Sequence, residues 1–169
     1  MYKFCMYKMK RSFSFFACVL VLLFSASSLH CQQITLLTED GKQVVLTRAD
    51  IDALPQVKVT TSDKAGPAIF EGVSLKSVLE KAGVGFGDSL RGKRLASCLL
   101  VEAADGYRVV IALPELDPAF VEKQILLADK RNGKDLDDVE GPYRLVIPDE
   151  KHMARWVRQV KALKIIAVK

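Results

Sequence analysis

Gly141-Pro142-Tyr143-Arg144-Leu145-Val146-Ile147-Pro148, followed by Arg155-Trp156-Val157-Arg158, is the stretch on which the reading of this chain turns. Tyr143 to Ile147 is β-branched and aromatic, and Pro148 cannot donate to a ladder, so the run reads as a short strand with a fixed end. Five cationic or titratable side chains follow within fifteen positions: Arg144, Lys151, His152, Arg155 and Arg158. A buried strand joined to fixed positive charge suits an anionic ligand. The plainer reading is a solvated basic edge balanced by Asp149 and Glu150. On an alternating strand, Arg144 between Tyr143 and Leu145 would then face water.

Working outward, the pattern is one of short strands broken by turns. Ile34–Thr38 and Gln43–Thr47 flank Asp40-Gly41, a hairpin signal. Thr47 can cap a helix over Arg48–Leu54, which Pro55 stops. Val57–Thr61 reads as a strand and residues 62–67 as a loop. Phe70-Glu71-Gly72-Val73 leads to Ser74, an N-cap for a helix with Leu75, Val78, Leu79 and Ala82 on one face. Gly83 fits the position after the last turn. Ala96–Ala103 and Tyr107–Ala112, joined through Asp105-Gly106, form the clearest hairpin. Pro114-Glu115-Leu116 starts a helical turn. Ile125–Ala128 is a strand, Asn132-Gly133 a turn and residues 135–140 a polar loop. One helical turn over 153–158 and a strand over Leu163–Val168 complete the chain. About eight strands, two or three short helices and no regular βαβ alternation predict an α+β domain, a mixed β-sheet with short helices.

The first 31 residues read differently. Lys3, Lys8, Lys10 and Arg11 precede an apolar run, Ser12–Phe24, and the small residues Ser25-Ala26-Ser27-Ser28. That is the layout of a secretory signal peptide. The run is shorter than the roughly 20 residues a membrane-spanning helix needs. The expectation is a signal over 1–31, a single domain over 32–169, and a periplasmic or secreted location. Membrane contact would come only through an uncleaved signal. Cys31, preceded by Leu29-His30, reads as near a cleavage site and not as a lipidation site. The chain carries 25 basic and 20 acidic residues, a net of +5. Without the four basic residues of the leader, 21 face 20. No basic field remains to suggest nucleic acid. Cys5 and Cys18 belong to the leader, and Cys98, in an apolar run, reads as a small core residue without a disulfide partner.

Taken in order, Phe70-Glu71-Gly72-Val73-Ser74-Leu75, Ala104-Asp105-Gly106-Tyr107, Leu127-Ala128-Asp129 and the two C-terminal phrases resemble the oxidoreductase molybdopterin-binding domain family, the fold of sulfite oxidases. The resemblance covers roughly 55–168. It implies a sulfite-oxidase-type fold and a molybdopterin cofactor. It implies that Arg144, Lys151, Arg155 and Arg158 lie where such enzymes contact the pterin phosphate. It also implies a molybdenum-binding cysteine in the loop after the strand that precedes Gly72-Val73-Ser74-Leu75. Here that region reads Val59-Thr60-Thr61-Ser62-Asp63, with no cysteine. A hydroxyl is hard and essentially neutral at pH 7, unlike a thiolate. No catalytic or metal-ligating residue is therefore assigned. The expectation is an exported module that recognises a small anionic ligand or a periplasmic protein partner. The alternative is a molybdopterin-dependent oxidoreductase with weakened or partner-assisted cofactor binding.

The remaining candidates read as structural. Asp63 and Asp129 are isolated carboxylates, Asp105 and Gly106 are turn residues, Tyr107 packs over the sheet, and Trp156 plugs the core. Gly83-Val84-Gly85-Phe86-Gly87 follows a helix instead of opening one, so it is no dinucleotide motif.

Overall fold

The computed structural model describes residues 32–167. The expected signal segment lies outside them, as does Val168 at the expected end of the last strand. The strands are β1 (Gln33–Leu37), β2 (Gln43–Thr47), β3 (Gln56–Asp63), β4 (Gly66–Ser74), β5 (Cys98–Ala103), β6 (Arg108–Ala112), β7 (Leu126–Arg131), β8 (Lys134–Asp135), β9 (Arg144–Val146) and β10 (Val160–Ile166). Among the described residues there are two α-helices, α1 (Arg48–Asp52) and α2 (Leu75–Lys81), and four 3₁₀ turns that follow α2 in the chain. Among the described residues no helix is long and apolar enough to cross a membrane.

The strands form two five-stranded sheets. The first has the order β2-β1-β10-β5-β6; β10 runs parallel to β1 and antiparallel to β5. The second has the order β3-β4-β7-β8, with β9 also paired to β7. The mixed α+β class read from the sequence is the class observed. Ten short strands appear where about eight were expected: β4 forms over residues read as a loop and the lead-in to a helix, and the two-residue β8 ends at the start of the expected polar loop.

Local chemistry accounts for the boundaries. Thr47 and Asp50 form a reciprocal capping box: the Thr47 hydroxyl accepts from Asp50 N–H and the Asp50 carboxylate accepts from Thr47 N–H. Helix α2 buries Leu75, Val78 and Leu79, the face its periodicity required. Asn132 and Gly133 both have positive φ (51° and 75°), the geometry of a two-residue hairpin turn between β7 and β8. Residues 62–67 are no open loop. Strand β3 continues to Asp63, which faces Gly66 across the turn, and Asp63 Oδ1 accepts from Ala65 N–H at 2.8 Å.

Burial is continuous. Ile34, Leu36, Leu99, Val101, Ile111 and Leu163 from the first sheet join Phe70, Val73, Leu126, Leu127 and Leu145 from the second in one apolar cluster with α2. At Gly72 the β4–β7 ladder shifts register, and a Cβ there would lie 2.3 Å from the Leu127 carbonyl oxygen and 2.6 Å from Ala128 Cα. Only glycine lets the two backbones approach so closely. Cys98 is a correction to the sequence reading. Strand β5 alternates, burying Leu99, Val101 and Ala103, so Cys98 sits on the opposite, half-buried face.

Candidate functional site

Four chain segments converge on an open cavity of about 840 Å³. The β3–β4 turn supplies Asp63 and Lys64. The β7–β8 hairpin and the loop after it supply Arg131, Lys134, Asp135, Asp137 and Glu140. The β5–β6 turn supplies Asp105 and Tyr107. The C-terminal segment supplies Arg144, Met153, Trp156 and Arg158. Every one of these segments is a turn or strand end fixed by the sheets behind it, the usual placement of binding residues on a rigid scaffold.

Arg144 is the centre of the site and corrects the solvated reading. Strand β9 is buried on both faces, so alternation does not bring its arginine to water; Arg144 is 3% exposed. Its guanidinium lies 5.3 Å from the ring centres of both Phe70 and Trp156. Those two rings meet edge to face at 5.7 Å. A weakly hydrated planar cation is suited to such an aromatic pocket. Arg144 Nη1 donates to Glu140 Oε1 at 2.7 Å and stands 4.0 Å from Asp63 Oδ2. Its Nε is buried with no hydrogen-bond partner among the described residues. Burial draws its pKa below the usual arginine value, against the opposing pull of the Glu140 carboxylate.

The charges continue outward from Arg144. Asp63 is not isolated: Arg131 Nε stands 3.0 Å from Asp63 Oδ2. Arg158 Nε lies 3.7 Å from Glu140 Oε1. Arg131, Asp63, Arg144, Glu140 and Arg158 thus alternate in sign along the cavity floor, with three cations against two anions.

The basic cluster of the sequence is divided by the fold. Arg144 and Arg158 line the cavity; Lys151 is exposed away from it. Arg155 also points elsewhere. Its Nε donates to Glu150 Oε1 at 2.8 Å, its Nη2 stands 3.4 Å from Glu115 Oε2, and its Nη1 approaches the Val110 carbonyl at 3.5 Å on the edge of β6. Partial burial works against its charge, but the bonds to Glu150 and Glu115 raise its pKa overall. Arg155 ends the 3₁₀ turn Met153–Arg155, and the buried Trp156 and Val157 stand between it and Arg158.

Trp156 is buried as expected, and its Nε1 donates to Ile147 O at 2.9 Å, yet it also lines the cavity. Tyr107 does not lie packed over the sheet: it is half exposed, and its hydroxyl donates to Ala154 O at 2.7 Å across the cavity mouth. Asp105 and Gly106 are turn residues, with Asp105 Oδ1 accepting from Tyr107 N–H.

Sequence reasoning missed a second polar cluster. Asp129 Oδ2 accepts from Arg48 Nη2 at 2.7 Å, and the Arg48 guanidinium lies 5.9 Å from the Tyr143 ring centre. Burial raises the Asp129 pKa against the pull of Arg48, and burial pushes Tyr143 up to about 12. The Tyr143 hydroxyl and Asp129 Oδ1 are buried with no partner among the described residues. Arg48 and Asp129 are 81 positions apart, so no local signal could have paired them. Among the described residues no group of three or more His, Cys, Asp or Glu is placed to hold a metal ion.

Comparison with known proteins agrees with this architecture. No curated protein matches the chain. Among solved structures, the sulfane dehydrogenase SoxCD from Paracoccus pantotrophus is similar, with a TM-score of 0.64 and 21% identity over 81% of this chain. The alignment spans 39% of that larger chain, and at this identity it speaks for the fold, a sulfite-oxidase-type one. The family model described as the oxidoreductase molybdopterin binding domain matches residues 47–169. By its sequence, its mixed sheet and antiparallel sheet and that match, the chain belongs to the oxidoreductase molybdopterin-binding domain family.

Proposed function

We propose that this domain is an exported, non-catalytic binding module that uses the molybdopterin-binding scaffold to hold a small anionic ligand. The observation that carries the reading is Arg144, a buried guanidinium at the cavity floor whose Nε has no partner among the described residues, with Glu140 at 2.7 Å and Asp63 at 4.0 Å. The cavity lining as a whole carries five cations and five carboxylates, and an anion at the floor would meet the guanidinium donors of Arg144, Arg131 and the half-exposed Arg158. Charge-assisted hydrogen bonds to such a site contribute about 1.5–3 kcal/mol each.

The donor set does not suit a molybdenum dithiolene. None of the cavity-lining residues is a cysteine, and the one cysteine among the described residues, Cys98, belongs to β5 in the other sheet. The segment Val59–Asp63 is regular antiparallel strand paired with β4, so it offers no loop to present a ligand. Ser62 is exposed there with a neutral hydroxyl.

The test is metal and pterin analysis of protein purified from the periplasm of a host that makes the cofactor. It is paired with titration by sulfate and acetate, followed by Trp156 fluorescence. The expected result is no stoichiometric molybdenum or pterin, saturable binding of at least one anion, and weaker binding by Arg158→Ala. Stoichiometric molybdenum with turnover of sulfite or a sulfoxide overturns the reading and restores the oxidoreductase alternative.

A further inference from the structure

The two sheets end in β2, β6, β3 and β8, and three of these edges are guarded. Strand β2 has five residues and runs directly into the α1 cap. Strand β6 has five and carries Arg155 Nη1 3.5 Å from its Val110 carbonyl oxygen. Strand β8 has two. Strand β3 is different. It has eight residues in unbroken register with β4, with no proline and no bulge. Among the described residues β4 is its only ladder partner. Edges are ordinarily kept from pairing by short length, proline, bulges or charge. The one charge midway along this edge, Lys58, is met within its own sheet by Glu71 at 2.9 Å.

The far side of β4 shows which backbone groups of β3 are open. Ile69 N–H donates to Asn132 Oδ1 and Ile69 O accepts from Asn132 N–H, so Ile69 and its odd-numbered neighbours face β7. The even-numbered residues of β4 face β3, where Phe70 opposes Val59. Val57, Val59, Thr61 and Asp63 therefore bond to β4. Gln56, Lys58, Thr60 and Ser62 turn their N–H and C=O groups to the open edge.

We propose that this edge pairs antiparallel with the same edge of a second copy of the chain. One two-fold register engages all four open residues: Gln56 faces Ser62, Lys58 faces Thr60, and the two copies of Val59 meet at the axis. A shift one way sets Lys58 against Lys58, and like charges directly opposed are unfavourable. A shift the other way puts Gln56 opposite Lys64, in the turn. The half-buried Val57 and Val59, already packed on the core, would be covered further by Thr61 and Val59 of the second copy. The result is one continuous sheet, β7-β4-β3-β3-β4-β7.

Sedimentation equilibrium of protein purified from the periplasm, from about 1 μM to about 1 mM, tests this over the range in which a small interface dissociates. A concentration-dependent dimer is expected. The amides of Lys58, Thr60 and Ser62 should gain protection from hydrogen exchange as concentration rises, while those of Val57, Val59 and Thr61 are protected throughout. Position 60 faces Lys58 of the other copy, so Thr60→Glu should tighten the dimer and Thr60→Lys loosen it, each by at least about threefold at low salt. Thr60→Pro removes an N–H that β4 does not use, and should be monomeric. If that proline costs the fold, the two charge variants decide. A chain monomeric throughout the range overturns the proposal, whether the edge then stays bare or takes an extended segment of another protein. A dimer indifferent to the sign of the charge at position 60, or one that leaves the three open amides unprotected, also overturns it, because the contact then lies elsewhere.

Discussion

Replacing Arg144 with methionine tests whether the centre of this site is a buried, compensated cation. Methionine keeps the length and apolar contact of the stem but removes the charge. Glu140 then loses its 2.7 Å partner and Asp63 a neighbour at 4.0 Å. Removing one member of a buried pair costs about 3–5 kcal/mol. Here the cost is smaller, because Arg158 remains 3.7 Å from Glu140 and Arg131 remains 3.0 Å from Asp63. Two aromatic contacts are lost as well, about 0.5–1 kcal/mol each. Methionine packing against Phe70 and Trp156 offsets part of that. The expected net loss is about 3 kcal/mol, or roughly 9 °C in melting midpoint at about 3 °C per kcal/mol for a domain of this size. Urea unfolding monitored by far-UV circular dichroism, with the single tryptophan as a second probe, measures it. The double variant Arg144→Met/Glu140→Gln should recover about 1–2 kcal/mol, since the stranded carboxylate is gone. A loss below about 1 kcal/mol, or a double variant no more stable than Arg144→Met, would refute the reasoning on magnitudes of this kind.

Gly72→Ala should destabilise by more than about 3 kcal/mol or prevent folding, because the added carbon meets backbone at 2.3 Å and strands β4 and β7 must part; expression yield and denaturation report it. Tyr143 is fully buried with its pKa raised to about 12, so the unfolded chain releases that proton first as pH climbs past about 10. Its stabilising contribution is complete below pH 10 and is lost between pH 10 and 12, by about 2–3 kcal/mol. Tyr143→Phe should remove that alkaline loss while changing neutral-pH stability by less than about 1 kcal/mol; a larger neutral-pH loss would mean the hydroxyl is bonded. Arg155→Ala should leave anion binding unchanged, since Arg155 lies outside the cavity, and should raise concentration-dependent association at the β6 edge, read by light scattering. Weakened anion binding in that variant would return Arg155 to the site.

The parts of the fold that were legible in the sequence are those written in local chemistry. Asp40-Gly41, Asp105-Gly106 and Asn132-Gly133 each mark a tight reversal because few residues accept positive φ. Helix α2 announces itself because only one face is covered. The site was half legible. Arg144 and Arg158 were named, but their surroundings were not. Alternation identifies a buried side only when the other side is wet, and β9 is covered on both. Arg155 was grouped with Arg158, but its bonds to Glu150 and Glu115, the latter 40 positions away, hold it outside the cavity. Asp63 and Asp129 looked solitary because their partners, Arg131 and Arg48, lie 68 and 81 positions away.

The parallel contact between β1 and β10 has a consequence for how the chain is made. The last strand occupies the middle of the first sheet, between elements completed early in synthesis. Until residues near 160 leave the ribosome, the two hairpins β1–β2 and β5–β6 share no ladder. A chain ending before β10 therefore forms two unattached ribbons instead of a smaller version of the same sheet. Isolated ribbons of two strands are marginal in water, so a nonsense change anywhere up to β10 should be as damaging as one near the start.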